Sequence, residues 1–177
     1  MPSPAVAVVG PFPPWRSGIA DQDERLVRAM RRLGVDPLVV GFKRMYPRFL
    51  YPGTTDHLEE EKNDFFEREE GGAEKRPAGA SPRVLLDGLN PFSFVRVARF
   101  LSFEEVSLLV LPWWTTYFAP HVSLLLSTLG AERPSAVRLL LCHNVFDHEP
   151  HPVKDALTRA VLRRADRFVV QNARSGR

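Results

Sequence analysis

Ten consecutive residues, CHNVFDHEPH from Cys142 to His151, hold one Cys, three His, one Asp and one Glu. Such donors can ligate a transition metal when they converge on one point. Here Pro150 and Pro152 interrupt the segment, and it contains no HExxH pair that a helix would align. No metal site is therefore expected. Cys142 ends the apolar run VRLLLC and is expected to be buried. His143 follows at the strand tip, where an imidazole of near-neutral pKa can donate or accept a hydrogen bond. A satisfied structural histidine is the blander account. The position at a strand end makes His143 the candidate catalytic residue.

Two other stretches carry chemistry. In GPFPPWRSGIA, residues 10–20, a turn leads into a helix. The N–H groups of Ser17, Gly18 and Ile19 would face outward there, and the helix dipole favours an anion. Gly18 would admit a phosphate close to the backbone, and Arg16 would add positive charge. A helix cap with a glycine for tight packing explains the same residues equally well. The second stretch is PWW, residues 112–114. Alternation along a strand would turn one tryptophan inward and the other toward a ligand, where it could stack on a sugar ring.

The elements that would position these groups follow from hydrophobic periodicity. Strands are expected at residues 5–9, 38–42, 84–86, 106–111, 137–142 and 168–170. Helices are expected between most of them. The first starts at an N-cap Ser17, with Ile19, Leu26, Val27, Met30 and Leu33 on one stripe, and is closed by Gly34. The second is opened by Asn90 and Pro91, with Phe94, Val95, Ala98 and Leu101 inward. The third carries Phe118, Val122, Leu125, Leu126 and Leu129 and stops at Gly130. The fourth carries Val153, Leu157, Ala160 and Val161. Residues 57–83, rich in charge, Gly and Pro, read as a mobile loop without chemistry.

Apolar strands alternating with helices imply a parallel sheet covered on both faces. The fold class is α/β, a doubly wound Rossmann-like sheet of about six or seven strands. Ligands of such sheets sit beyond the carboxyl ends of the strands where strand order reverses. In the order 3-2-1-4-5-6, strands one, four and five are neighbours, so the three stretches would line one crevice.

Composition narrows the function further. The chain has 177 residues, 44% hydrophobic and 25% charged, with net charge +3. That suits one domain with a full core. No Lys/Arg cluster suggests nucleic acid. A single cysteine forbids an internal disulfide and fits a reducing cytosol. No signal peptide and no bilayer-spanning run is present, although contact with a membrane surface stays open. A GxGxxG turn is missing, strand two ends in GFKR without an acidic ribose ligand, and no GxxxxGK[ST] occurs. Nicotinamide and P-loop chemistry are thereby disfavoured.

Taken together, GPFPPWRSGIADQDERLVRAM, VVGFKRMYPRFLYPG, LNPFSF, VLPWWTTYFAP, HNVFDHEP and TRAVLRRADRFVVQN resemble, in order, glycosyltransferase family 4. These are retaining enzymes of GT-B fold, and the likeness covers nearly the whole chain. The resemblance implies the N-terminal, acceptor-side domain of a hexosyltransferase, inactive without a donor-binding second domain, for which no counterpart is seen. A truncated chain or a split half would both account for that. The implied donor is a nucleotide-diphosphate sugar and the acceptor a carbohydrate or lipid-linked molecule. No metal or other cofactor is implied.

By the same likeness, backbone amides at Ser17, Gly18 and Ile19 lie near the donor diphosphate, with Ser17 standing where the family usually has glycine. His143 and the following Asn144 contact the transferred sugar, and Lys43, Arg44 and Tyr46 shape the acceptor site. Trp113 and Trp114 join the substrate-binding set. The implied location is cytoplasmic, at the inner face of the membrane where acceptors are lipid-linked. The rival is a non-catalytic Rossmann-like module that binds a glycan or a protein.

Overall fold

A computed structural model of the chain describes residues 5–15, 17–47, 82–143 and 152–170. Six parallel strands form one sheet in the order β3-β2-β1-β4-β5-β6. They are β1 (Val6–Val9), β2 (Leu38–Arg44), β3 (Arg83–Asp87), β4 (Leu108–Trp113), β5 (Val137–Cys142) and β6 (Arg167–Val170). Four α-helices are described: α1 (Gly18–Arg32), α2 (Phe92–Phe103), α3 (Ala119–Glu132) and α4 (Pro152–Leu162). The architecture is the doubly wound, Rossmann-like α/β sheet expected from the alternation of apolar runs and amphipathic stretches. Most of residues 57–83 lies outside the described residues, and Arg83 itself opens β3.

Alternation along the strands builds two cores. Ala7, Val9, Val40, Phe42, Leu109, Leu111 and Leu140 face α2 and α3, whose Phe94, Ala98, Leu101, Val122, Leu125 and Leu129 close the larger core. Val8, Val39 and Val110 turn to the other face, where Val27 of α1 and Phe12 cover them. Period-two alternation in strands buried on both sides is what makes β1 (VAVV) continuously apolar.

Helix ends follow local chemistry. The Ser17 side chain accepts from Ala20 N at 3.1 Å and starts α1. Gly34, at φ +80°, takes the left-handed turn that ends it. Asn90 Oδ1 accepts from Phe92 N at 3.1 Å, so Asn90 and Pro91 open α2 as expected.

Four expectations need correction. Leu33 is 83% exposed, because α1 ends before its stripe would reach the sheet. In α2 Val97 joins Phe94, Ala98 and Leu101 in the core, and Val95 is only half-buried. Gly130 does not stop α3, which runs to Glu132; its missing side chain instead admits the Arg138 guanidinium, which donates to Leu126 O at 3.3 Å. Finally, β4 is displaced two residues along the chain, so Pro112 and Trp113 belong to the strand.

A proline in a central strand must avoid a ladder position. Trp113 O accepts from His143 N at 2.9 Å on the β5 side. Its predecessor therefore faces β1, and β1 has already ended at Val9. Pro112 thus falls at the end of β1, where it ends the β1–β4 ladder instead of interrupting it.

The β3–α2 connection is fixed by a close backbone approach. Gly88 N donates to Arg44 O at 2.6 Å. A Cβ on Gly88 would overlap Met45 O and lie 2.8 Å from Met45 C. Backbone cannot give way as a side-chain tip can. Gly88→Ala is expected to lower stability by about 1–3 kcal/mol or more. Urea denaturation checks this, and a midpoint within error of the wild type would contradict the packing described.

Candidate functional site

The carboxyl ends of β1, β4 and β5 lie side by side, because β4 pairs with β1 on one side and β5 on the other. Strand order reverses between β1 and β4, since β1 leads outward through β2 and β4 through β5. The loops leaving these strands enclose the crevice such sheets use for ligands.

From β1, the chain turns through Phe12 and Trp15, both buried. Trp15 Nε1 donates to Phe42 O at 3.0 Å and ties the turn over β2. The turn delivers Ser17 to the start of α1. With the Ser17 hydroxyl occupied by Ala20 N, the N–H groups of Gly18 and Ile19 stand at the helix end. A Cβ on Gly18 would meet nothing within 4 Å among the described residues. Packing does not require glycine here, which removes the simplest structural reason for it.

From β5, His143 follows the last strand residue and is half-buried. Burial holds its imidazole below the ordinary 6.5, so it is neutral near pH 7. Its backbone N–H is held by Trp113 O. His143 and the Gly18 helix end therefore follow β5 and β1, two strands of one sheet with β4 between them, at the same carboxyl edge.

The two tryptophans divide. Trp113 is 2% exposed and belongs to the larger core, so it offers no face to a ligand. This corrects its inclusion among substrate contacts. Trp114 is half-buried beyond the strand, and its Nε1 donates to Tyr46 Oη at 3.1 Å. Tyr46 packs against Tyr117 with ring centroids 5.4 Å apart. The Tyr117 hydroxyl donates to Gly88 O at 3.0 Å. Trp114, Tyr46 and Tyr117 thus form an aromatic wall above β2, β3 and β4.

Lys43 is exposed at the end of β2. Next to it, Arg44 forms a forked pair with Asp87, Nε–Oδ1 2.9 Å and Nη2–Oδ2 2.6 Å. The guanidinium holds the Asp87 carboxyl below the usual range. Arg44 is therefore committed to β3, and Lys43 beside it is an exposed cation at the end of β2.

Arg16 and Asn144 lie outside the described residues, as does the remainder of the acidic and histidine-rich segment through His151. Among the described residues no group of three or more His, Cys, Asp or Glu could hold a metal.

Two groups escaped sequence reasoning. Asp23 of α1 is 0% exposed, packed against Gly10. His121 of α3 is buried among Phe94, Tyr117 and Phe118, with ring centroids 5.1, 5.9 and 5.5 Å away. Burial lowers its pKa, and the nearby Gly88 carbonyl opposes that shift in part. The spacing Asp23, Val27, Met30 was the available signal for Asp23. It puts an acid in line with the apolar stripe of α1.

Comparison with known proteins finds no matching family model and no matching curated sequence.

Two depressed histidines give a signed pH dependence. The folded state resists protonating His121 and His143, while the unfolded chain takes up protons near 6.5. Their contribution is present above that value and is lost on acidification below it. Asp23, raised by burial, pulls the other way over this window, so the histidine effect is read as a difference: from pH 6.5 to pH 5 the urea midpoint of the wild type should fall relative to that of His121→Phe. Equal slopes for both proteins would show that His121 is not held neutral.

Proposed function

We propose that the chain is the acceptor-side domain of a retaining glycosyltransferase. The reaction would move a sugar from a nucleotide-diphosphate donor to a carbohydrate or lipid-linked acceptor. One observation carries the proposal: an unobstructed helix end at Gly18 and a neutral imidazole at His143 share the carboxyl edge, with an aromatic wall beside them. A diphosphate would meet the amides of Gly18 and Ile19, where unsatisfied N–H groups and the helix dipole favour negative charge. His143 would hydrogen-bond a hydroxyl of the transferred sugar as donor or acceptor. Trp114 would present a ring face to sugar, and Lys43 would meet the acceptor side.

In such a site the leaving diphosphate gains charge as the glycosidic bond breaks, and preorganised amides stabilise that charge without reorganising. A second, donor-gripping domain belongs to this reading as partner and would complete the site on closure. A location in the cytoplasm, at the membrane surface for a lipid-linked acceptor, belongs to it as well. No helix among the described residues is long and apolar enough to cross a membrane.

The test uses amide NMR of the chain with UDP, GDP and their hexose conjugates at millimolar concentration. The resonances of Gly18, Ile19 and His143 should shift together. Gly18→Ala should keep wild-type stability within about 0.5 kcal/mol, since the added methyl enters open space at a helix start. The same methyl should weaken the nucleotide response at least tenfold by blocking backbone approach. No response to any nucleotide, or an undiminished response in Gly18→Ala, would overturn the proposal. A glycan that binds equally well without nucleotide would favour a non-catalytic module.

A further inference from the structure

One turn after the buried Ala20, the inward face of α1 carries an acid. Asp23 precedes Val27 and Met30 by one and two turns, and the face it shares with them lies over Val8, Val39 and Val110. In the column above Val8 comes Gly10, and above Val110 comes Pro112. Asp23 packs against Gly10, and Pro112 flanks the same glycine. A Cβ on Gly10 would overlap Asp23 Oδ2 and lie 2.9 Å from Pro112 Cγ. The carboxyl therefore fills the floor of the crevice where strand order reverses. Neither of its oxygens has a hydrogen-bond partner among the described residues.

Charged neighbours do not compensate it. The strands packed against it are VAVV and LLVLPW, and the overlying turn contributes Phe12 and Trp15. On α1 itself Glu24 is engaged by Arg28, and Asp21 faces solvent. No charged or titratable group of β1, β4 or the described turn faces Asp23. An isolated buried carboxylate is far costlier than the neutral acid, so the group takes up a proton. Burial alone pushes its pKa up to about 8.

We propose that Asp23 is a positioning residue that works as a neutral wedge: protonated, it seats the β1–α1 turn on the sheet, and ionised, it unseats that turn and with it the Gly18 helix end. The turn has two anchors that would report this. Gly10 N donates to Val40 O at 3.0 Å, and Trp15 Nε1 donates to Phe42 O at 3.0 Å. Ionisation demands water at Asp23, and water reaches it only by lifting Gly10 or the turn above it. The ligand consequence rests on the glycosyltransferase reading; the movement of the turn does not. An anion at Gly18 would also meet repulsion from a carboxylate little more than one helical turn away.

The test follows the complete 177-residue chain by NMR from pH 6 to pH 9.5. The Asp23 carboxyl carbon should titrate well above the ordinary carboxylate range. The Trp15 indole and Gly10 amide signals should move with the same midpoint. Asp23→Asn should hold both signals constant across the range. Pyrophosphate affinity at Gly18 should drop at least tenfold over this range in the wild type, and less than twofold in Asp23→Asn. A carboxyl titrating near pH 4 overturns the proposal, and so do Trp15 and Gly10 signals that ignore the Asp23 transition. Should Asp23→Asn fail to fold, the wild-type carboxyl, indole and amide titrations decide alone. If pyrophosphate never binds while the turn still moves with Asp23, the anion site at Gly18 fails and the wedge stands.

Discussion

The pairing of β1 with β4 is the constraint from which the site follows. These two strands are hydrogen-bonded neighbours, yet the chain leaves them in opposite directions across the sheet. Their outgoing loops must diverge, and a gap opens between them. Both strands are buried on both faces, so neither can shift to close the gap without exposing Val8 or Val110. The glycine at the end of β1 and the proline near the end of β4 sit at the floor of that gap. Pro112 is tolerated there because β1 has ended, and Gly10 is required there because Asp23 fills the space a side chain would take. Sheet order thus sets the position of the crevice and also the residue types that can line it.

Much of the fold was legible because apolar periodicity reports burial directly. The strand VRLLLC was bounded correctly, and α1 began at the serine whose side chain caps it. What misled was the use of single residues as punctuation. Gly130 looked like a stop, but its role is to admit Arg138 from a strand seven residues downstream in the chain. Leu33 extended a periodic pattern past the end of its helix, where no sheet remains to cover it. For β4, periodicity could not choose between VSLLVL and LLVLPW. Proline argued against the second, and only the early end of β1 makes it acceptable.

The site was legible in part for a similar reason. A strand tip can be recognised locally, so His143, Gly18 and the tryptophan pair stood out. Which tryptophan turns inward depends on the exact end of β4, and the two-residue displacement decided it. Asp23 and His121 could not be found in this way. Asp23 stands in line with the apolar stripe of α1, but its spacing alone does not say that the carboxyl is covered, and a histidine among aromatic residues has no fixed spacing. Their burial comes from tertiary packing over Gly10 and against Gly88, which periodicity does not encode.

The electrostatics of the crevice then acquire a consistent sense. Burial drives both kinds of titratable group toward the uncharged form, lowering the histidines and raising the acid. Arg44, the cation beside Lys43, is neutralised by Asp87. Between roughly pH 6.5 and pH 8 His143, His121 and Asp23 are therefore mostly neutral. The dipole of α1, positive at Gly18, then faces the gap with no charge on Asp23 to oppose it. An acid in its first two turns would cancel that field if it were ionised in place. The same desolvation that makes Asp23 costly as an anion keeps it protonated, and the positive end of the helix is left uncancelled where a ligand would arrive.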